Sequence, residues 1–167
     1  MEQLSEPLNS THKKSDFSCG MEILDTYIHK QANQDIKRKL SVCFVLAETK
    51  TDLIKGYYTL SNSSIPSEHI PEQIRKKLPK SYKVIPATLI GRLAIDSRFQ
   101  GQGVGKLILI DALKRSFEIT KTVGSFAVAV DPIDRESENF YTKYGFIKLP
   151  DSGKMFLPMK TINQLFQ

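Results

Sequence analysis

Two short segments of this chain combine residue types and spacings suited to chemistry. The first is Gln100-Gly101-Gln102-Gly103-Val104-Gly105, which follows an apolar run from Ala87 to Ile95 and opens a helical pattern from Val104 to about Thr120. A strand, a glycine turn and a helix in succession make an anion site. The first helical turn leaves backbone N–H groups without intrahelical partners, and the aligned peptide dipoles add partial positive charge there. Glycines remove the Cβ atoms that would hold a diphosphate away from the backbone. The second segment is Glu138-Asn139-Phe140-Tyr141-Thr142-Lys143-Tyr144-Gly145-Phe146. It has the pattern of a short helix stopped by Gly145 and followed by a strand. It places a tyrosine hydroxyl, a possible proton donor, beside an aromatic cluster.

Two familiar phosphate loops do not fit. A Walker A loop needs a glycine four residues before Gly-Lys-Ser/Thr, but Gly105-Lys106 is followed by Leu107, and Gln100 occupies the earlier position. A dinucleotide fingerprint starting at Gly101 needs a third glycine where Lys106 stands. The spacing that does fit is Gln-x-x-Gly-x-Gly, carried by Gln100, Gly103 and Gly105. It resembles the pyrophosphate loop of the Gcn5-related N-acetyltransferases. The downstream Phe140-Tyr141 followed by Gly145-Phe146 resembles the Phe-Tyr-x-x-x-Gly-Phe signature of the same family. The two segments also come in that family's order, with a strand-like stretch from Ser125 to Val130 between them.

The elements that must position these segments follow from periodicity. Residues 21–37 predict an amphipathic helix, with Ile23, Leu24, Tyr27, Ile28 and Gln31 at helical spacing. Strands are expected over 42–48 and 55–63, and a short proline-bounded helix within 66–79. The long strand 84–96 leads into the glycine turn and the helix 103–120, with Val104, Leu107, Ile108, Leu113 and Phe117 inward. A strand over 125–131, a helix over 134–144, strands over 146–149 and 155–159 and a helical turn over 161–166 complete the chain. Phe140 and Phe146 are expected in the core. This order predicts an α+β fold with a mostly antiparallel sheet. The family resemblance implies more: a mixed central sheet with a V-shaped split, flanked by helices.

Composition is compatible with one domain spanning 1–167. The apolar fraction is 40% and the mean hydropathy is −0.27. The longest aliphatic run, Leu107 to Ile110, is far too short to span a bilayer. The opening Met1-Glu2-Gln3-Leu4-Ser5-Glu6 lacks the basic-then-apolar pattern of a signal peptide. A cytoplasmic protein without membrane contact is expected. Cys19 and Cys43 make neither a disulfide framework nor a metal cluster, and His12, His29 and His69 are scattered, so no metal site is expected. No internal repeat or low-complexity tract is present.

The resemblance assigns roles residue by residue. It implies acetyl-coenzyme A as cofactor, with the backbone of Leu93 and Ile95 bonding the pantetheine amides. Gly101, Gln102, Gly103, Val104, Gly105 and Lys106 would hold the pyrophosphate through backbone N–H groups, and Gln100, the first motif position, is a further cofactor-binding residue. Asn139 would contact the coenzyme, and Tyr141 would act as general acid toward the departing sulfur. The plain alternatives are core strand residues for Leu93 and Ile95, and for Tyr141 a packed ring whose hydroxyl finds water. Arg98 and Lys106 flank the loop and are weaker candidates for coenzyme phosphates. Tyr144 is expected to pack.

No carboxylate is marked as a base. Glu48, at a strand end, is a candidate, and a solvated strand end is its plainer reading. A lysine amine, pKa about 10.4, must lose a proton before attack; an α-amine, nearer 8 and lowered further by an adjacent ester, needs little help.

A narrower resemblance agrees with an α-amine acceptor. Phe17-Ser18-Cys19-Gly20 followed by Leu24-Asp25 and Ala32, together with Gly91-Arg92-Leu93-Ala94-Ile95-Asp96, is similar to the toxin acetyltransferases of bacterial toxin–antitoxin pairs. This resemblance covers about residues 6 to 165. It implies acetylation of the α-amine of aminoacyl-tRNA, a homodimer, and a ribbon–helix–helix antitoxin with which operon repression is shared. The charge is compatible with RNA: net +6, with a pI of about 9.3. Arg75, Lys76, Lys77, Lys80 and Lys83 cluster near the expected mouth of the substrate cleft, Lys37, Arg38 and Lys39 end the first long helix, and Lys13 and Lys14 precede it. The plain reading of these runs is a solvated surface. Arg75, Lys76, Lys77 and Arg92 are the candidate substrate contacts; Arg92 alternatively holds the cleft through a carboxylate. Two other functions remain open: acetylation of a small amine or protein amine, and non-enzymatic acyl-coenzyme A binding as a co-regulator.

Overall fold

A computed structural model describes residues 4–150 and 152–167. Met1, Glu2 and Gln3, on which the signal-peptide reading partly rests, lie outside them. The strands are β1 (Glu6–Pro7), β2 (Val42–Ala47), β3 (Ile54–Pro66), β4 (Val84–Ile95), β5 (Ala127–Val130), β6 (Ile147–Lys148) and β7 (Met155–Pro158). They form one sheet in the order β1-β2-β3-β4-β5-β7-β6. β1 with β2, β2 with β3, β5 with β7 and β6 with β7 pair antiparallel, and β4 pairs parallel with β5. The expected α+β class with a mixed, mostly antiparallel sheet is therefore found. A parallel pair needs a crossover connection, and α4 (Val104–Ile119) lies in it.

The chain divides into two compact units, residues 4–61 with 91–115, and residues 62–90 with 116–167. In the first, Phe17, Tyr27, Ile28, Val45, Ile54, Tyr57 and Ala94 form the core. Phe17 meets Tyr57 edge-on at 5.3 Å, and Tyr27 stacks on Tyr57 at 6.2 Å, geometries that aromatic quadrupoles favour. The expected helix over 21–37 is present but interrupted: α1 (Glu22–Thr26) and α2 (Ala32–Lys37) are joined by a π-helical turn, Tyr27–Gln31. The widened turn is invisible to a periodicity argument, because it adds a residue without changing residue type.

On α4, Val104, Ile108, Leu109, Ala112 and Leu113 are buried. Leu107, expected inward, is 45% exposed, and Leu109 takes the buried position instead. The inward stripe is also less apolar than the pattern predicts, because Asp111 and Ser116 are buried on it. Asp111 accepts the Leu4 N–H at 2.7 Å and the Tyr58 hydroxyl at 2.8 Å, and it also bonds the Ser5 hydroxyl. Arg115 completes the network by donating to Tyr58 Oη at 2.9 Å and to the Ser5 carbonyl at 3.0 Å. A buried carboxylate is tolerated only when so satisfied. It ties α4 to the segment before β1.

The second unit packs Ile65, Ile70, Ile85, Ala87, Ala127, Ala129, Leu149 and Phe156 together. All of β5 is buried, as both faces of a central strand require. The proline-bounded helix shrinks to α3 (Glu72–Arg75) after a 3-10 turn, Ser67–His69. At the other end, α6 (Met159–Leu165) is longer than the expected single turn. None of the helices among the described residues is long and apolar enough to cross a membrane.

Candidate active site

The exit of β4 is built around a carboxylate. Asp96 is 1% exposed. Its Oδ1 accepts the Arg98 N–H and Arg98 Nε, both at 2.9 Å, and its Oδ2 accepts Arg98 Nη2 at 3.0 Å and the Ser18 N–H at 3.1 Å. Burial by itself would raise this carboxyl, but the hydrogen bonds from Arg98 and Ser18 outweigh it and hold Asp96 below the usual carboxylate range. Asp96 so caps the 3-10 turn Ser97–Phe99 that delivers the chain into the glycine loop. Ser97 N–H bonds the Ser18 carbonyl at 2.8 Å, and Asp25 accepts the Cys19 N–H at 2.8 Å. The Phe17–Gly20 and Asp25 positions singled out in the sequence thus form a brace under the loop.

Within the loop, Gly101 and Gly103 have φ of +77° and +79°. This left-handed conformation suits glycine, and at both positions the space a Cβ would occupy is open. The Gly103 carbonyl accepts the Leu107 N–H at 3.2 Å, so α4 starts at Val104. The N–H groups of the first turn of α4, those of Val104, Gly105 and Lys106, have no partner within the helix. Open space and these donors at the start of a sixteen-residue helix fit a diphosphate. Gln100 does not turn its side chain to that space: its Nε2 donates to the Cys19 carbonyl at 3.0 Å and the Ile95 carbonyl at 2.9 Å. Gln102 likewise donates to the Arg98 carbonyl at 3.2 Å. Lys106 is exposed. Arg98 is committed to Asp96, whereas Lys55, which sequence reasoning passed over, sits 5.6 Å from the Phe99 ring centre.

The parallel ladder of β4 with β5 ends at Ile90↔Val130. Leu93 and Ile95 lie beyond it on β4, both half-buried. Arg92, on the same stretch, places its guanidinium 3.6 Å over the Tyr27 ring. Tyr27 is fixed in turn by hydrogen bonds with Asp35 at 3.1 Å and Ser41 at 3.3 Å. Arg92 makes no ion pair among the described residues, so the carboxylate alternative for it is not found. Glu48 sits in the turn between β2 and β3, where its backbone bonds Leu53 and Asp52, in agreement with the strand-end reading.

In the second unit, Tyr141 lies on α5 (Arg135–Lys143). The helix begins with a reciprocal cap, Ser137 N–H to Asp134 Oδ1 at 2.8 Å and Asp134 N–H to Ser137 Oγ at 3.1 Å. It ends in a Schellman motif: Phe146 N–H bonds the Tyr141 carbonyl and Gly145 N–H bonds the Thr142 carbonyl, with Gly145 at φ +92°. The same motif brings the Phe146 ring to 5.2 Å from the Tyr141 ring, which fixes the tyrosine from both backbone and side chain. Tyr141 is buried, burial pushes its hydroxyl above the ordinary tyrosine value, and no partner for that hydroxyl lies among the described residues. Asn139 is exposed on the same helix, and Phe140, expected in the core, is only half-buried, stacking edge-on against Tyr144 at 5.1 Å. Lys76 and Lys77 are exposed after α3, while Arg75 is half-buried and donates to the Glu68 carbonyl at 3.4 Å.

A family model described as "Acetyltransferase (GNAT) domain" matches residues 81–161. A probable toxin TacT from Sinorhizobium fredii is 31% identical over 98% of this chain and 94% of its own length. A tRNA-acetylating toxin from Mycobacterium tuberculosis is 31% identical over 89% of this chain and 87% of its own. Among solved structures, AtaT complexed with acetyl-methionyl-tRNAfMet superposes with a TM-score of 0.89 at 30% identity, covering 98% of both chains. A tyrosine-to-phenylalanine variant of AtaT, bound to the C-terminus of the antitoxin AtaR and acetyl-CoA, superposes with a TM-score of 0.82 at 26% identity, covering 98% of this chain and 97% of that one.

Proposed function

The chain belongs to the GNAT acetyltransferases, and from that premise we propose that it moves acetyl from acetyl-CoA to the α-amine of aminoacyl-tRNA, as a translation-blocking toxin with an antitoxin partner. It is an acyl-CoA-dependent N-acetyltransferase. The observation that carries the cofactor assignment is the loop with its left-handed Gly101 and Gly103 opening onto the first-turn N–H groups of α4. The acceptor assignment rests on the two toxin relatives and the tRNA-bound AtaT. The exposed Lys76 and Lys77 and the stacked Arg92 agree with it.

Acetyl-CoA supplies the acetyl group as a thioester. Backbone N–H groups from Gly101 to Lys106 hold the pyrophosphate, and the backbone of Leu93 and Ile95, past the end of the β4–β5 ladder, bonds the pantetheine amides. Asn139 adds a contact from α5. Gln100 and Gln102 contribute through backbone, since their side-chain amides are spent on the loop itself. Tyr141 donates its proton to the leaving sulfur. Its buried hydroxyl stays protonated at cellular pH, as a general acid must. The acceptor amine needs no dedicated base before attack, because a neutral fraction is already present near pH 7, and the proton that the nitrogen sheds as the amide forms goes to solvent, which returns one to the Tyr141 oxygen. Arg75, Lys76, Lys77 and Arg92 engage the phosphate backbone of the tRNA. Residues 1–167 act as one acetyltransferase domain, in the cytoplasm where charged tRNA is found, as a homodimer neutralised by a ribbon–helix–helix antitoxin.

The deciding experiment is transfer of labelled acetyl from acetyl-CoA to bulk charged tRNA, with deacylated tRNA as control. Label on charged tRNA alone is expected. Label on polyamines or protein N-termini but not on tRNA would move the acceptor to a small or protein amine.

A further inference from the structure

We infer that Asp96 is the positioning residue of the coenzyme loop: its buried carboxylate, shared between Ser18 and Arg98, sets where the pyrophosphate-binding N–H groups stand. The inference rests on the reading of that loop as the acetyl-CoA site. Four donors converge on two oxygens, three from Arg98 and one from Ser18. The carboxylate therefore joins β4, the 3-10 turn after it and the Phe17–Gly20 brace at one point. Arg98 extends the joint by donating to the Asp16 carbonyl at 3.2 Å. Gln100 makes a second joint a few residues on, bridging the Cys19 and Ile95 carbonyls. Between Gln100 and Val104, the loop is held by Gln102 Nε2 to Arg98 O and, on the α4 side, by the Gly103 carbonyl accepting the Leu107 N–H. Its glycines have no Cβ contacts to fix them. Placement of the N–H groups therefore depends on the two joints before it and on α4 after it. Asp96 itself faces the protein interior, so it touches no ligand and acts through the loop.

The geometry also accounts for the residue type. An asparagine keeps one acceptor oxygen, but its amide nitrogen would face the guanidinium donors of Arg98, so the two-pronged hydrogen bonding is broken. Glutamate adds a methylene where the carboxyl is already enclosed.

The test compares wild type with Asp96→Asn and Arg98→Ala, the latter an exposed side chain whose loss removes the guanidinium donors while leaving the buried carboxylate its two backbone donors, the N–H groups of residues 18 and 98. Thermal unfolding, calorimetric binding of coenzyme A and steady-state kinetics with each substrate varied are measured well below each variant's Tm. The expected result is an acetyl-CoA KM raised about tenfold in Asp96→Asn and less in Arg98→Ala, with kcat changed by no more than about twofold and the KM for charged tRNA unchanged. A lowered Tm with normal coenzyme affinity and KM in both variants would overturn the inference and leave Asp96 as a stabilising residue only. Should Asp96→Asn not fold, Arg98→Ala decides alone by the same readouts. A wild-type protein that binds no coenzyme A would instead overturn the loop assignment beneath it.

Discussion

The guanidinium of Arg92 lies 3.6 Å over the ring of Tyr27, joining the stretch of β4 beyond its parallel ladder to the π-helical turn. A planar cation on an aromatic face keeps its N–H edge free for an oxyanion, and a lysine ammonium cannot reproduce both contacts. Arg92→Lys should raise the KM for charged tRNA about fivefold, for a loss of about 1 kcal/mol, and leave the acetyl-CoA KM unchanged. Equal tRNA kinetics in the two proteins would remove Arg92 from substrate binding.

Tyr141→Phe should keep coenzyme binding and lose about 10²- to 10⁴-fold in turnover, the range for a general acid. Near-normal turnover would take Tyr141 out of the mechanism.

The pH profile offers a separate check. Burial raises the Tyr141 hydroxyl above its ordinary value, so the hydroxyl remains protonated throughout the neutral and mildly alkaline range. Transfer should climb with pH as the acceptor amine deprotonates, up to about pH 8, and then level off to about pH 9.5. Single-turnover rates corrected for ester hydrolysis would reveal it, and a fall between those two values would show a different acid in control.

Reversing the charge of Arg75, Lys76 and Lys77 should weaken use of tRNA without altering acetyl-CoA binding. The slope of log affinity against log salt should flatten by about 0.7 to 0.9 for each phosphate no longer neutralised. Salt titrations of tRNA binding with an unchanged slope would relocate the interface.

Asp96 is held below the usual carboxylate range chiefly because hydrogen bonds from Arg98 and Ser18 overcome its burial. Its ionised form therefore stabilises the fold above the unfolded-state value of about 3.9, and that contribution fades as pH falls through and below it. The Tm gap between wild type and Arg98→Ala should be widest near neutrality and narrow as pH falls below about 3.9. A gap that stays constant with pH would mean that Arg98 stabilises by packing alone.

Gly56 leaves no room for a side chain. A Cβ there would overlap Ile108 Cδ1 on α4, approach Ile95 Cδ1 to 2.8 Å and stand 3.0 Å from the Ala94 carbonyl. Gly56→Ala should cost about 1–3 kcal/mol by overpacking, read as a lower urea midpoint at unchanged m-value.

Local backbone conformation was legible in the chain alone. Gly101, Gly103 and Gly145 stand where the backbone turns left-handed, a conformation strongly disfavoured for other residues, so sequence spacing located both the loop and the end of α5. Alternating and helical periods placed most elements to within a few residues, and thereby the α+β class. Tertiary structure decided the rest, because it depends on partners distant in the chain. Leu107 turned outward and Leu109 inward because α4 packs by its actual rotation rather than by residue type. Arg92 meets Tyr27 at the start of the π-helical turn Tyr27–Gln31, a contact that no local pattern announces. Gln100 proved to hold the loop from within, its side chain reaching back to the Cys19 carbonyl, and Asp96 to join Arg98 to the Ser18 N–H, bonds to Cys19 and Ser18 that span some eighty positions of sequence. Hydrogen bonds of that span carry no local signature, and only the folded chain brings their ends together.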